Sequence, residues 1–166
     1  MNITLIGFMG TGKTSTGKKV AEQLGMTFID MDHVIEERQN RKISDIFETE
    51  GEPYFRQLEF DLAKELSAGD NQVIATGGGI VLNQENINNF ESSGTVICLS
   101  ADPQIILERV AKETHRPLLE GDEKMNKILG ILESRKELYA AITNQVDTTN
   151  LSIDEVAAKI IEIAKK

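Results

Sequence analysis

A glycine-rich loop near the start of the chain limits its possible folds more than any other feature. Residues 7 to 14 read Gly-Phe-Met-Gly-Thr-Gly-Lys-Thr and follow the apolar run Ile3–Ile6. This is the spacing of a phosphate-binding loop, which needs a strand before it and a helix after it. Glycine allows the tight turn that points successive N–H groups, and the positive end of the helix, at a phosphate. The sequence therefore predicts a nucleotide-binding α/β domain.

Six consecutive loop residues are the predicted nucleotide contacts: Gly10, Thr11, Gly12, Lys13, Thr14 and Ser15. The Lys13 ammonium would reach the β- and γ-phosphates, and the Thr14 hydroxyl would coordinate Mg²⁺. The alternative interpretation is an ordinary glycine-rich turn between a strand and a helix, with a solvated lysine.

Composition narrows the class of protein further. A chain of 166 residues, 40% apolar and 27% charged, suits a single domain over residues 1–166. The net charge of −9, without a basic cluster, argues against a nucleic-acid partner. No apolar stretch has membrane-spanning length and none precedes the loop as a signal peptide would, so we expect no membrane association. The lone Cys98 fits a reducing compartment, and we expect a cytoplasmic protein with this thiol buried.

Apolar runs alternate with helical patterns along the chain. We predict strands at 3–6, 27–29, 72–75, 95–99 and 144–146, and helices at about 13–24, 31–38, 43–49, 52–67, 82–91, 103–112, 124–141 and 152–164. Short apolar strands joined through helices indicate a parallel sheet covered on both faces. Ligands bind such sheets at the carboxyl ends of the strands, so the residues after each strand are the candidates for function.

Two aspartates follow the second strand. Asp30 and Asp32 would point to the same side of an extended backbone, where one could hold the hydration shell of Mg²⁺ and the other could accept a proton from a substrate hydroxyl. The alternative is that one of them caps the next helix.

Further along the chain, Arg56 and Glu59 share a helix face. Spacing alone favours an exposed ion pair, whereas a functional role would aim the guanidinium at a substrate carboxylate with Glu59 fixing its position. The run Gly77–Gly79 after the third strand indicates either a tight turn or a substrate lying on exposed backbone N–H groups.

A loop follows the helix at 103–112. Its length and lack of periodicity predict a lid, with Arg116 supplying positive charge to the transferring phosphoryl group, or else a solvated loop arginine. Arg109 and Arg135 on the flanking helices are, by themselves, most simply surface residues. His33 and His115 lack metal-ligand spacing, and we expect no metal bound to them.

In this order, the phosphate loop, Asp-x-Asp, Arg-x-x-Glu, Gly-Gly-Gly, Arg-Pro-Leu and a late-helix arginine resemble the shikimate kinase family. The resemblance covers Ile3 to about Val156 and lacks no element. It implies a three-layer phosphate-loop fold like that of nucleoside monophosphate kinases, with a five-stranded parallel sheet in the order 2-3-1-4-5, helices on both faces and a lid loop at about 113–124. It also implies transfer of the ATP γ-phosphate to the 3-hydroxyl of shikimate, in chorismate and aromatic amino-acid synthesis.

The resemblance assigns roles to single residues. Lys13, Asp32 and Arg116 look like the catalytic set, with Asp32 the hydroxyl contact and base. The carboxylate of shikimate is expected at Arg56 and Arg135, its ring at Gly78 and Gly79, and Glu59 is expected to support Arg56. Mg²⁺ is expected at Thr14 and, through water, at Asp30, while Arg109 is expected against the adenine of ATP. The resemblance further implies substrate-binding helices at about 31–67, and we expect a monomer.

Two other functions are compatible with the phosphate loop. One is a kinase of the same fold that acts on another polyol acid, such as gluconate. The other is a nucleotide switch without transfer activity, which the absence of a guanine-reading Asn-Lys-x-Asp motif disfavours.

Overall fold

Five strands form one parallel sheet. The structure is a computed structural model that describes residues 1–113 and 121–166. At residues 112, 113, 121, 122 and 124 it describes only the backbone. The strands are β1 (Asn2–Ile6), β2 (Thr27–Asp30), β3 (Gln72–Ala75), β4 (Gly94–Ser100) and β5 (Asn144–Asp147). They lie in the order β2-β3-β1-β4-β5, and each neighbouring pair is parallel. The expected fold class and strand order are confirmed.

Helices follow the strands as the alternating pattern predicted. They are α1 (Lys13–Leu24), α2 (Met31–Gln39), α3 (Ile43–Glu50), α4 (Glu52–Ser67), α5 (Gln84–Ser93), α6 (Pro103–Glu113), α7 (Gly121–Ala140) and α8 (Ile153–Ala164). Local signals set several ends: Gly25 ends α1 in the left-handed conformation, and Ser152 and Glu155 form a capping box at the start of α8.

The sheet is buried on both faces because its strands alternate apolar residues between two cores. Ile6, Ile74 and Cys98 belong to the core that packs against α2 to α5. Leu5, Val73 and Ile97, each one residue earlier, belong to the core beneath α1 and α8. The Cys98 thiol is buried as expected, and burial raises its pKa to about 11, which keeps it protonated.

Two element boundaries differ from the predictions. A short 3-10 turn at Ile80–Leu82 precedes α5, which begins at Gln84 because the Asn83 side chain accepts from Glu85 N and caps it. Helix α7 begins at Gly121, within the range predicted for the lid. Residues 114–120 lie outside the described part of the chain, so the lid and Arg116 stay predictions. No helix in the described residues combines the length and apolar character needed to cross a membrane.

Candidate active site

Two cavities adjoin at the carboxyl ends of β1, β2 and β3. The first, here called the loop cavity, has a volume of about 430 Å³ and is lined by the phosphate loop, Asp30, Asp32 and Thr76. The second, here called the arginine cavity, has a volume of about 360 Å³ and is lined by Arg56, Glu59, Arg135 and the glycine turn. Both are also lined by Met9, Gly10, Asp32, Gly77 and Gly78. A group bound in one cavity would therefore lie beside a group bound in the other.

The phosphate loop has a backbone that only glycine tolerates at its ends. Gly7 has φ 151°, and a Cβ there would overlap the carbonyl oxygen of Leu99 at the end of β4. Gly12 precedes α1 with φ 93°, in the region that favours glycine. These two positions hold the loop against the sheet and direct it into α1.

The Lys13 ammonium is turned into the loop, although the residue as a whole is partly exposed. Its Nζ donates to the carbonyl oxygens of Gly7 at 2.5 Å and of Phe8 at 2.9 Å. Burial lowers the Lys13 pKa from 10.5 to about 8, against the opposing effect of the Asp32 carboxylate. The cation that the motif assigns to phosphate thus lies at the base of the loop cavity.

Thr14 and Asp30 lie together, as the sequence predicted. The Thr14 hydroxyl donates to Asp30 Oδ2 at 3.1 Å, and Asp30 Oδ1 accepts from His33 N at 3.3 Å. Asp30 therefore caps α2, which confirms that alternative, and it also faces the loop, where its role toward Mg²⁺ stays a prediction. A hydroxyl and a carboxylate are hard oxygen donors of the kind that Mg²⁺ accepts.

Asp32 lies where the two cavities meet, but not for the reason expected. The backbone is not extended between the aspartates, because β2 ends at Asp30 and α2 begins at Met31. Asp32 instead points into the site from the first turn of α2, and a Cβ on Gly77 would lie 2.9 Å from its Oδ1. Burial, with the nearby charge of Asp30, raises the Asp32 pKa. A carboxylate in this position is a proton acceptor within reach of both cavities.

Arg56 and Glu59 form an ion pair that is partly buried, whereas their spacing in the sequence favoured an exposed ion pair. Glu59 is 2% exposed, and its Oε1 accepts from Arg56 Nη1 at 3.0 Å. Burial raises the Glu59 pKa, with Arg56 opposing, and Glu59 Oε2 has no hydrogen-bond partner among the described residues. A Cβ on Gly79 would overlap the Arg56 guanidinium. The pair is held between α4 and the glycine turn, which fixes the guanidinium at the cavity wall.

Gly77 and Gly79 in the glycine turn are needed for space rather than for unusual backbone angles, since a Cβ would lie 2.9 Å from Asp32 Oδ1 at Gly77 and would overlap the Arg56 guanidinium at Gly79. Gly77, Gly78 and Gly79 are absent from the positions with positive φ in the described chain. A Cβ on Gly78 would lie 3.5 Å from Arg135 Nη1 and 3.8 Å from Met9 N, so α7 and the phosphate loop approach each other across this residue. Arg135 and Arg56 both line the arginine cavity, and their role toward a carboxylate stays a prediction.

Arg109 by itself was most simply a surface residue, but in the structure its guanidinium is hydrogen-bonded to the protein. Its guanidinium donates to Gly10 O and to both the hydroxyl and the carbonyl oxygen of Thr148, each at 3.1 Å. Thr148, which is 2% exposed, follows β5 and also bonds Ser100 O at 2.9 Å. Arg109 and Thr148 line a third cavity of about 170 Å³, beside Leu151, Ile153 and Val156. No motif marks the segment after β5 in the sequence, so its place beside Arg109 was not predictable.

An apolar wall and one tyrosine of the site carry no motif and were not predicted from the sequence. The arginine cavity is lined by apolar side chains that look like ordinary core residues in the sequence, namely Phe8, Ile43, Phe47, Phe55 and Val110. The Tyr139 hydroxyl donates to Gly78 O at 2.5 Å. Its spacing of four from Arg135 on one helix face was the available signal.

The histidines do not alter this description. His33 is exposed and lies 3.4 Å from Glu37, and the described residues contain no group of three or more His, Cys, Asp or Glu side chains placed to hold a metal. His115 lies outside the described residues.

Comparison with known proteins identifies similar chains by sequence and by structure. A model of the family described as shikimate kinase matches residues 9–165. A shikimate kinase of Thermodesulfovibrio yellowstonii is 45% identical, over 97% of this chain and 93% of its own length. One of Thermoanaerobacter pseudethanolicus is 46% identical over 97% and 94%. A structure of shikimate kinase from Acinetobacter baumannii in complex with shikimate superposes with a TM-score of 0.89 at 35% identity, covering 98% and 91%.

Proposed function

The chain belongs to the shikimate kinase family, whose members are ATP-dependent phosphotransferases, and we propose specific roles for its residues in phosphoryl transfer to shikimate. ATP would lie with its phosphates in the loop cavity. Shikimate would lie in the arginine cavity, beneath the substrate-binding helices at 31–67. The observation that carries this assignment is the shared wall of the two cavities, with Asp32 at their junction.

The phosphates would be held by the loop and by Lys13. Backbone N–H groups at the start of α1 and the Lys13 ammonium supply positive charge where the chain as a whole is negative. On binding, Lys13 would exchange the carbonyl oxygens of Gly7 and Phe8 for phosphate oxygens. The adenine would enter the third cavity beside Arg109 and Thr148, and Arg116 would reach the phosphates from the lid.

The acid substrate would be held by two arginines. Arg56 and Arg135 approach the same cavity from α4 and from α7, so a carboxylate between them gains charge-assisted hydrogen bonds from both sides. Glu59 holds Arg56 in place. The apolar wall of Phe47 and Phe55 would cover the ring and exclude water.

The transfer step needs little covalent work from the protein. The 3-hydroxyl oxygen forms a bond to the γ-phosphorus as the bond to the β,γ-bridging oxygen breaks, and ADP leaves with that oxygen. Asp32 accepts or orients the hydroxyl proton, which its raised pKa suits it to hold. Catalysis otherwise consists of positioning and of charge stabilisation by Lys13 and Arg116.

ATP as phosphate donor implies a divalent metal, and we propose Mg²⁺. The Thr14 hydroxyl would bind it directly, and Asp30 would bind it through water. A site with one or two protein ligands suits Mg²⁺, which keeps several waters and binds phosphates. When bound, the ion neutralises phosphate charge as transfer proceeds.

We also propose that the protein is a cytoplasmic monomer. The single buried thiol of Cys98 agrees with a reducing compartment. Sedimentation of the purified protein across a range of concentrations tests the monomer, and a concentration-dependent dimer would contradict it.

The decisive experiment measures ADP release with Mg²⁺ and either shikimate, gluconate or no acceptor. We expect release that depends strictly on shikimate. Turnover with gluconate would indicate that the acceptor is another polyol acid. Release without any acceptor, or none at all, would favour a nucleotide switch.

A further inference from the structure

The hydroxyl of Tyr139 contacts the glycine turn at the point where three parts of the site converge. It donates to Gly78 O at 2.5 Å, across 61 positions in sequence. A Cβ on Gly78 would lie 3.5 Å from Arg135 Nη1, 3.8 Å from Gly7 O and 3.8 Å from Met9 N. The carbonyl that Tyr139 holds therefore belongs to the residue between the phosphate loop and the arginine.

This bond fixes more than one atom. A peptide unit is planar and trans, so holding the Gly78 carbonyl also sets the direction of the Gly79 N–H on the opposite side of the plane. Following backbone N–H groups already hold two carbonyls of the turn, since Gly77 O accepts from Ile80 N at 3.2 Å and Gly79 O accepts from Leu82 N at 3.0 Å. Glycine has no side chain to restrict the Gly78 peptide plane, which is therefore held only by a contact from outside the turn. The tyrosine provides that contact.

Tyr139 is also linked to Arg135, one helical turn earlier on α7. Burial raises the Tyr139 pKa, and a hydrogen-bonding interaction with the Arg135 side chain partly opposes the rise, so the phenol is a neutral donor at physiological pH. Its ring packs against both the core beneath α2 to α5 and the cluster around Phe8. The ring anchors the residue, which leaves the hydroxyl to connect the turn with the arginine.

We propose that the Tyr139 hydroxyl is a positioning group for the acid substrate, which holds the glycine turn and the Arg135 guanidinium in one geometry. This proposal rests on the proposed placement of shikimate in the arginine cavity. Tyr139 does not touch the reacting atoms, so its loss should affect binding of the acid and leave binding of ATP unchanged.

The test is Tyr139→Phe, which keeps the ring and removes only the hydroxyl. We expect the KM for shikimate to rise about fivefold and the KM for ATP to stay unchanged, with the melting temperature lower by only about 2–4 °C because the Gly78 carbonyl loses this donor. Tyr54→Phe is the matched control, since it removes the other tyrosine hydroxyl, which lies on the exposed side of α4 and bonds Gln39 at 3.2 Å. An unchanged KM for shikimate would overturn the proposal. Equal rises in both KM values with a lower melting temperature would also overturn it, because they would indicate packing alone.

Two further measurements separate this inference from its premise. Arg56→Ala should raise the KM for shikimate whether or not Tyr139 has a positioning role. If the KM does not rise, the placement of shikimate in the arginine cavity is wrong. The Tyr54→Phe protein has a single tyrosine, so labelling with 3-fluorotyrosine gives one fluorine signal, from position 139. We expect that signal to shift on saturation with shikimate. A signal that does not shift would contradict the proposal, and this test leaves the Tyr139 hydroxyl in place.

Discussion

Replacing Gly79 by alanine should weaken binding of the acid substrate through Arg56. A Cβ at this position would overlap Nη1, Nη2 and Cζ of the guanidinium. The backbone at Gly79 has φ −91° and ψ 7°, which alanine can adopt, so the conflict is confined to the side chain. Because the guanidinium is the far end of a flexible side chain, it moves away and the protein still folds.

The size of the effect follows from the bonds that Arg56 would lose. A charge-assisted hydrogen bond to a carboxylate contributes about 1.5–3 kcal/mol, so the KM for shikimate should rise by roughly 10- to 150-fold. Displacing Arg56 also leaves Glu59 buried without its partner, which costs about 1–3 kcal/mol of stability. At about 2–4 °C per kcal/mol for a chain of this size, the melting temperature should fall by several degrees. The fall should be smaller in acid, because the Glu59 pKa is already raised and protonation relieves the buried charge.

Steady-state kinetics with each substrate varied, together with thermal unfolding, test this reasoning. Gly130→Ala on α7 is the control, since a Cβ there meets nothing within 4 Å. It should leave both KM values unchanged and stabilise the helix by about 1 kcal/mol. If Gly79→Ala leaves the KM for shikimate unchanged, Arg56 does not grip the acid from this position. If both KM values rise together, the change is global and the argument from the guanidinium fails.

Three other predictions concern the nucleotide side and the proton acceptor. The kcat/KM for ATP should fall as pH rises through about 8, because Lys13 loses its proton there in the free enzyme. Asp32→Asn should lower kcat by about 100-fold or more with little change in the KM for ATP, since general-base catalysis contributes about 10²–10⁴-fold. Thr148→Val should raise the KM for ATP about tenfold, because Arg109 loses one charge-assisted partner, while the KM for shikimate stays the same.

Each of these has an outcome that would contradict it. An identical alkaline fall in kcat/KM for shikimate at saturating ATP would point to a group other than Lys13, since bound phosphates should keep its ammonium protonated. Unchanged turnover in Asp32→Asn would remove Asp32 from the proton transfer. Equal changes in both KM values for Thr148→Val would indicate that Thr148 supports the sheet edge rather than the nucleotide.

Local pattern accounts for most of the fold and for part of the site. The loop spacing, the alternation of apolar residues and the capping signals depend on neighbours within a few positions, so they were predictable and most element bounds agree to within two residues. The strand order came from the family resemblance rather than from periodicity. Burial of Cys98 followed from its place in an apolar strand.

Pairings between distant segments were decided only by the tertiary structure. Spacing favoured an exposed Arg56–Glu59 pair, but packing of α4 buries Glu59 and makes the pair part of a cavity wall. The sequence favours a surface position for Arg109, but the fold brings Thr148, 39 positions away, within hydrogen-bond distance of its guanidinium. Tyr139 and Gly78 carry no common motif and meet because α7 packs against the segment that follows β3. The sequence alone predicted which groups would bind phosphate, because that chemistry lies within eight consecutive residues, whereas the proposed acid site is assembled from separate elements and depends on how they pack.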